Sequence, residues 1–245
     1  MASEVKTKRS VSRIFPDRLI EKELLDQLRI RHENPVLAGV DEVGRGSLAG
    51  PASVGIALID SNTSDAFPQK LRDSKLLSAQ VRQDLVAPTE QWVLAAAVGH
   101  STVEEINTWG IVAGLRAAAR RAVDELYQRG FHFDAVLLDG SHDWWSADQT
   151  GVLFDERPQL PDVPVHTVVK GDARCAVVAG ASVLAKVSRD SLMESLAQEF
   201  PHYDWDNNKG YSSAKHVAAL KEFGASIYHR TAWKLPGISS SGKGR

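Results

Sequence analysis

Short apolar runs alternate with longer stretches of helical spacing along this chain. From Asp17 to Leu28 the apolar positions Leu19, Ile20, Leu24, Leu25 and Leu28 recur on one helix face, which predicts a short amphipathic helix. Residues 36–40 and 53–59 are β-like runs separated by a glycine-rich turn, and 91–99 reads as a third strand despite its alanines. Three strands in succession predict an antiparallel meander. The pattern then turns helical: residues 108–130 are alanine-rich and stop at Gly130. Residues 135–139, AVLLD, predict a buried strand that ends in a carboxylate, and 165–169 predict another. A long helix follows from about Ala173 to Phe200, and a last one from about Ser213 to Phe223 closes at Gly224. The order β-β-β-α-β-α-β predicts an α/β fold with helices packed on a mixed sheet.

Two stretches carry no clear period. Residues 60–72 are polar, and 140–164 form a long connection that holds Trp144, Trp145 and three prolines. A loop of that length is either functional or mobile. Residues 1–15 are expected to be a disordered basic tail and 236–245 a flexible one, leaving one domain over 16–235.

Composition narrows the class. The apolar fraction of 43% is ordinary for a globular protein, and charges or polar residues interrupt every run before it reaches membrane-spanning length. The first ten residues have basic side chains but no apolar segment behind them, so they do not read as a secretory signal. The single cysteine, Cys175, can neither form an internal disulfide nor build a metal cluster alone, which fits a reducing cytoplasm. Net charge is −2, but it is unevenly spread. Residues 1–32 carry +3, residues 201–245 carry +4, and the middle carries −9. Basic ends around an acidic centre suit a protein that grips phosphates at its rim, with Lys209, Lys215 and Arg230 as candidate contacts, and gathers carboxylates at a site.

The acidic residues supply the chemistry. Asp41 and Glu42 sit side by side where the first strand breaks into Gly44, Arg45 and Gly46. Neighbouring residues on a strand face opposite ways, and a Gly-x-Gly turn brings bare backbone close to a ligand. Asp139 ends a later strand, and Asp172 lies between the last strand and a helix. If those strands are neighbours, four carboxylates converge at one end of the sheet. Their repulsion calls for cations between them. With no nearby cysteine and no histidine pair at ligand spacing, the hard ions Mg²⁺ or Mn²⁺ fit best. Taken singly, Asp139 could be a turn residue and Asp172 a helix cap.

The stretch GVDEVGRGSLAGP, from Gly39 to Pro51, resembles the signature of ribonuclease HII. LRDSKL from Leu71, LDG from Leu138, VKGDA from Val169, ASVLAKVSRD from Ala181 and KGY from Lys209 agree in order and spacing. The resemblance runs from about Val36 to Trp233. It departs from the family's usual pattern at Arg72, at Gly180 and in the longer 140–164 loop.

The resemblance implies a ribonuclease H-like mixed five-stranded sheet flanked by helices, with a C-terminal helical extension. It implies that Asp41, Glu42, Asp139 and Asp172 form a two-metal site for Mn²⁺ or Mg²⁺. Gly44, Arg45 and Gly46 would read the 2′-hydroxyl of a ribonucleotide, and Tyr211 would pack on the following deoxyribose. Ser74 and Lys75 would line the nucleic-acid groove. The implied substrates are RNA–DNA hybrids and DNA duplexes containing ribonucleotides, cut to leave 5′-phosphate and 3′-hydroxyl ends. A monomer is expected. Two other readings remain: a nuclease or resolvase of the same broad fold acting on DNA junctions, and a non-catalytic hybrid-binding module. The Gly44–Gly46 turn with Tyr211 speaks against the first. The intact set of four acids speaks against the second.

Overall fold

Backbone pairing at the centre of the chain sets the architecture. A computed structural model describes residues 15–146 and 159–238. The tails expected at 1–15 and 236–245 fall mostly outside these residues, as does much of the 140–164 connection. In chain order the elements are α1 (Leu19–Leu28), β1 (Leu37–Val43), β2 (Ser53–Ile59), α2 (Ala79–Trp92), β3 (Ala95–His100), α3 (Val103–Gln128), β4 (Ala135–Asp139) and β5 (Val165–Val168). Then come α4 (Gly171–Arg174), α5 (Ala176–Glu199), α6 (Trp205–Asn208) and α7 (Ala214–Phe223). The sheet order is β3-β2-β1-β4-β5. The first three strands form the expected antiparallel meander, while β4 pairs parallel to β1 and β5 parallel to β4.

Alternation along the strands divides the core in two. Ala38, Val40, Val54, Ile56, Leu58, Val136 and Leu138 face α3, where Leu115, Ala118, Ala122 and Leu126 meet them. Leu37, Ala57, Ile59, Ala135 and Leu137 face the other way, onto Val177, Val178 and Ala181 of α5 and Leu24 and Leu25 of α1. Helix α5 is buried along most of its first half. It also carries Met193 and Ala197, on which the aromatic C-terminal extension packs through Tyr203, Trp205 and Leu220. No helix among the described residues is long and apolar enough to cross a membrane.

Several expected boundaries move, each for a local reason. Gln91 and Trp92 end a helix rather than start a strand, and β3 begins at Ala95. Ser78 caps α2 by accepting from the Val81 N–H, and the Trp92 indole is tied to the Ser64 carbonyl at 2.8 Å. Pro88 inside α2 and its largely polar surface hid this helix from the apolar pattern. Helix α3 is two helices that meet at a kink at Gly110 (φ 83°, ψ 172°), and the first of them begins before residue 108, where Thr102 and Glu105 cap each other reciprocally. The expected helix from Ala173 is broken at Cys175, where Asp17 bridges in and its carbonyl accepts from Ala176 N–H at 3.0 Å. The expected helix between the last two strands is also absent among the described residues: β5 lies directly beside β4.

Gly55 shows how closely α5 is seated. A Cβ there would stand 2.3 Å from the Ala181 carbonyl oxygen, which belongs to helix backbone and cannot swing aside. Gly55→Ala is expected to cost about 1–3 kcal/mol, as overpacked cores do, and to lower Tm by several degrees. An unchanged Tm in thermal unfolding would show that the helix yields freely at this point.

Candidate active site

The carboxyl ends of β1, β4 and β5 lie at the same end of the sheet, because the three strands run parallel. Crevices at such strand ends are where open α/β sheets bind ligands. The register from Leu37 opposite Ala135 to Val40 opposite Leu138 puts Asp41 and Asp139 next in line on neighbouring strands. Both belong to the alternating set that faces α5, whereas Glu42 continues the set that faces α3. Asp172 is delivered to the α5 side by the turn after β5, with Lys170 in the left-handed region at φ 57°. That turn is tied to β4: the Gly171 N–H donates to Asp139 Oδ1 at 2.6 Å.

The charges feel one another. Asp41 is 5% exposed, and its carboxyl is pushed well above the usual carboxylate range. Burial is the main cause, and the negative charges of Asp139, Glu42 and Asp172 add to it against a hydrogen bond from Ser182. Asp172 is raised to about 6 by burial and by Asp139 and Asp73, with Lys75 pulling the other way. The Lys75 ammonium stands 3.5 Å from Asp172 Oδ2 on an otherwise exposed side chain. Burial lowers the lysine's own pKa, but Asp172, Asp41, Asp73 and Asp139 together outweigh this and raise it.

Among the described residues no three His, Cys, Asp or Glu side chains stand in a set ready to hold a metal ion. The chemistry of the acids nevertheless fits a hard divalent cation. Asp172 Oδ2 is buried with no hydrogen-bond partner, and the raised carboxyls mark negative charge that is not yet neutralised.

The turn after β1 is held from behind. Gly44 has φ +83°, and a Cβ there would stand 2.0 Å from Arg189 Nε, so only glycine fits. Arg189 of α5 donates to the Pro51 carbonyl at 2.8 Å, to Ser47 Oγ at 2.8 Å and to the Lys209 carbonyl at 2.9 Å. Arg230 donates to the carbonyls of Gly44 at 2.7 Å and Arg45 at 2.8 Å. It is fully buried, so the role of surface phosphate contact expected for it is replaced by that of a clamp. Arg45 and Gly46 themselves are exposed, and a Cβ on Gly46 would meet nothing within 4 Å.

Tyr211 belongs to the same frame. The Gly210 carbonyl accepts from Leu48 N–H at 2.8 Å and Ala49 N–H at 3.2 Å. Arg189 Cζ lies 5.6 Å from the centre of the Tyr211 ring, which is 39% exposed. Ser74 is 2% exposed, with its hydroxyl bonded to Ser182 at 3.0 Å, whereas Lys75 projects outward. Asp190 pairs with Lys186 at 2.6 Å and Arg82 at 3.7 Å. Sequence reasoning gave no role to Asp73, Ser182 and Arg189, and gave Arg230 the wrong one. Only the adjacency of Asp73 to Ser74 and of Arg189 to Asp190 could have drawn attention to them.

The raised Asp172 has a consequence for stability. Its folded pKa of about 6 lies above the unfolded value of about 4. The stabilising, protonated form is fully present below the unfolded value and is lost as pH rises through about 6. Asp172→Asn is therefore expected to raise the Tm of the metal-free protein at about pH 8, with the gain shrinking to nothing near pH 4. A gain that grows on acidification in a melting series would reverse this assignment.

The comparisons with known proteins agree with this geometry. The family model described as Ribonuclease HII matches residues 38–235. The Ribonuclease HII of Streptomyces avermitilis is 42% identical over 198 residues, which cover 81% of this chain and 76% of that protein. The crystal structure of the ribonuclease H2 from Pyrococcus horikoshii OT3 superposes with a TM-score of 0.62 at 25% identity, covering 82% of this chain and 95% of that one. Bst-RNase HIII in complex with Mn²⁺ shares the fold at 18% identity, with a TM-score of 0.60 over 82% of this chain and 68% of its own. With the match spanning β1 through the C-terminal extension, the chain belongs to the ribonuclease HII family.

Proposed function

We propose that this chain is a metal-dependent endonuclease that cleaves RNA in RNA–DNA hybrids and cuts 5′ of ribonucleotides embedded in duplex DNA. It would leave 5′-phosphate and 3′-hydroxyl ends and act as a monomer in the cytoplasm. The observation that carries the reading is the gathering of buried Asp41 and Asp172 with half-buried Asp139, whose charges repel one another, beside a glycine turn at the ends of the parallel strands. The names of its relatives and the Mn²⁺ held by Bst-RNase HIII support it.

Asp41, Glu42, Asp139 and Asp172 would hold Mg²⁺ or Mn²⁺. Bound there, such ions supply Lewis-acid stabilisation of the attacking water and of the leaving 3′-oxygen. The chain's own groups supply the rest. The exposed backbone of Arg45 and Gly46 would exchange hydrogen bonds with the 2′-hydroxyl, the one group that separates RNA from DNA. The Arg45 guanidinium and the Lys75 ammonium place positive charge where phosphates would approach. Ser74, buried beneath Lys75, would steady that edge of the groove. Tyr211 would pack against the sugar on the 3′ side.

Cleavage of a duplex with one embedded ribonucleotide, with and without Mg²⁺, tests the reading. Wild type should cut only with the ion. Asp139→Asn, which keeps the shape and removes a charge, should lose several orders of magnitude in turnover while binding holds or tightens. Near-normal cleavage by Asp139→Asn at saturating Mg²⁺ would sink the proposal. Tyr211→Ala separates sugar sensing from general groove binding. It should lose about ten- to a hundredfold on a single ribonucleotide flanked by DNA, the scale of one lost aromatic contact of roughly 1–3 kcal/mol, and less on a continuous RNA strand. Equal losses on the two substrates would make Tyr211 a general groove residue.

A further inference from the structure

Glu42 is gripped from the sheet face opposite the three aspartates. The Trp144 indole N–H donates to Glu42 Oε2 at 3.2 Å, and Arg45 Nη1 stands 3.3 Å from Glu42 Oε1. Trp144 is 2% exposed and belongs to the core layer under α3. The chain after β4 is built to hold it there. Asp143 Oδ1 accepts from the N–H groups of Trp145 and Ser146, each at 2.9 Å. Arg116 of α3 donates to the carbonyls of Trp144 at 3.3 Å, Trp145, and Ser146 at 3.1 Å. Trp145 packs at 6.1 Å from Trp144, yet its own N–H goes elsewhere, to the Pro161 carbonyl at 3.2 Å.

An indole N–H can only donate, and a carboxylate oxygen is the acceptor it needs. Turning Glu42 away would leave a buried N–H without a partner, which costs about 1–3 kcal/mol. Glu42 is thereby fixed at one oxygen, at the end of a strand whose alternation sets it on the α3 side.

We propose that Trp144 is a positioning residue for Glu42: its N–H pins Oε2 and so holds this carboxylate, at the end of β1, as a cation ligand. The inference rests on the reading that the acids hold a divalent ion. Trp144 would act through Glu42 without touching substrate. Removing a donor that orients a metal ligand typically costs about 10–100-fold in metal affinity.

The test is calorimetric titration of Mn²⁺ into the metal-free full chain, comparing wild type, Trp144→Phe and Trp145→Phe. Both variants keep a ring and lose similar packing. Trp144→Phe should lose about ten- to a hundredfold in Mn²⁺ affinity, while Trp145→Phe stays near wild type. In cleavage assays Trp144→Phe should need more Mn²⁺ for half-maximal rate with an unchanged KM for the nucleic acid. A second readout needs no variant at position 144. In ¹⁵N-labelled wild type, the indole resonance that Glu42→Gln displaces should also move on adding Mg²⁺, and the Trp145 indole should not. Unchanged affinity in Trp144→Phe, equal losses in both phenylalanine variants, or an indole resonance indifferent to Mg²⁺ would each overturn the inference. Wild type that takes up no Mn²⁺ at all would overturn the reading of the acids as well.

Discussion

Like charge buried at the end of a parallel sheet is the constraint around which this protein is arranged. Asp41 and Asp139 come to lie side by side because β1 and β4 pair in parallel, and burial denies Asp41 the screening that water would give. An arrangement of this kind is destabilising by itself, and the fold offsets it only in part. Backbone N–H groups serve Asp41 Oδ1 from Glu42, at 2.8 Å, and Asp139 Oδ1 from Gly171, at 2.6 Å. Lys75 contributes a single ammonium near Asp172. What remains is an unbalanced negative field in a rigid frame, which is the state in which a divalent ion gains most from binding.

The frame must be stiff for that field to persist, and its stiffness comes from two guanidiniums. Arg189 and Arg230 are both fully buried, and neither makes an ion pair among the described residues. They spend their donors on backbone carbonyls of the turn between β1 and β2 and of Lys209. An isolated buried cation is costly, but an arginine with several carbonyl partners keeps its charge and fixes every chain it touches. The result is that the glycine turn, the end of α5 and the segment carrying Tyr211 move as one body. The glycine turn and Tyr211, far apart in sequence, are thus set at a fixed spacing by groups packed behind them.

Much of this was legible in the sequence, and the illegible part has physical causes. The apolar runs of β1, β2 and β4 and the meander were readable because burial on both faces leaves continuous apolar stretches. The acidic residues were readable because each ends such a run. Helix α2 was not: Pro88 interrupts it, and only Leu85 and Thr89 are buried. The break at Cys175 was invisible because its cause, the bridge from Asp17, lies far away in sequence. Arg189, Arg230 and Trp144 act mainly through partners distant in sequence, and no local pattern encodes such a partner: Trp144 reaches Glu42 across 102 residues, and Arg230 reaches Gly44 across 186.

The C-terminal extension adds its own electrostatic condition. His216 accepts at Nε2 from the Trp205 indole at 3.2 Å and lies 3.0 Å from His229 Nε2, so His229 must donate across that contact. His229 Nδ1 then accepts from the Ser226 N–H at 2.9 Å, and His216 Nδ1 donates to the Tyr211 carbonyl at 2.9 Å. Every nitrogen has one role, and each role requires a neutral ring. Burial lowers both pKa values, with His216 further depressing His229 to about 4. The stability this network lends is complete above the unfolded value of about 6.5 and fades as pH falls toward about 4. The slope is opposite in sign to that of Asp172, which loses stability as pH rises through about 6. Acid therefore loosens the support behind Tyr211 while relieving the repulsion among the carboxylates. The segment that carries Tyr211 and the cluster of carboxylates are therefore driven in opposite directions by the same change of pH.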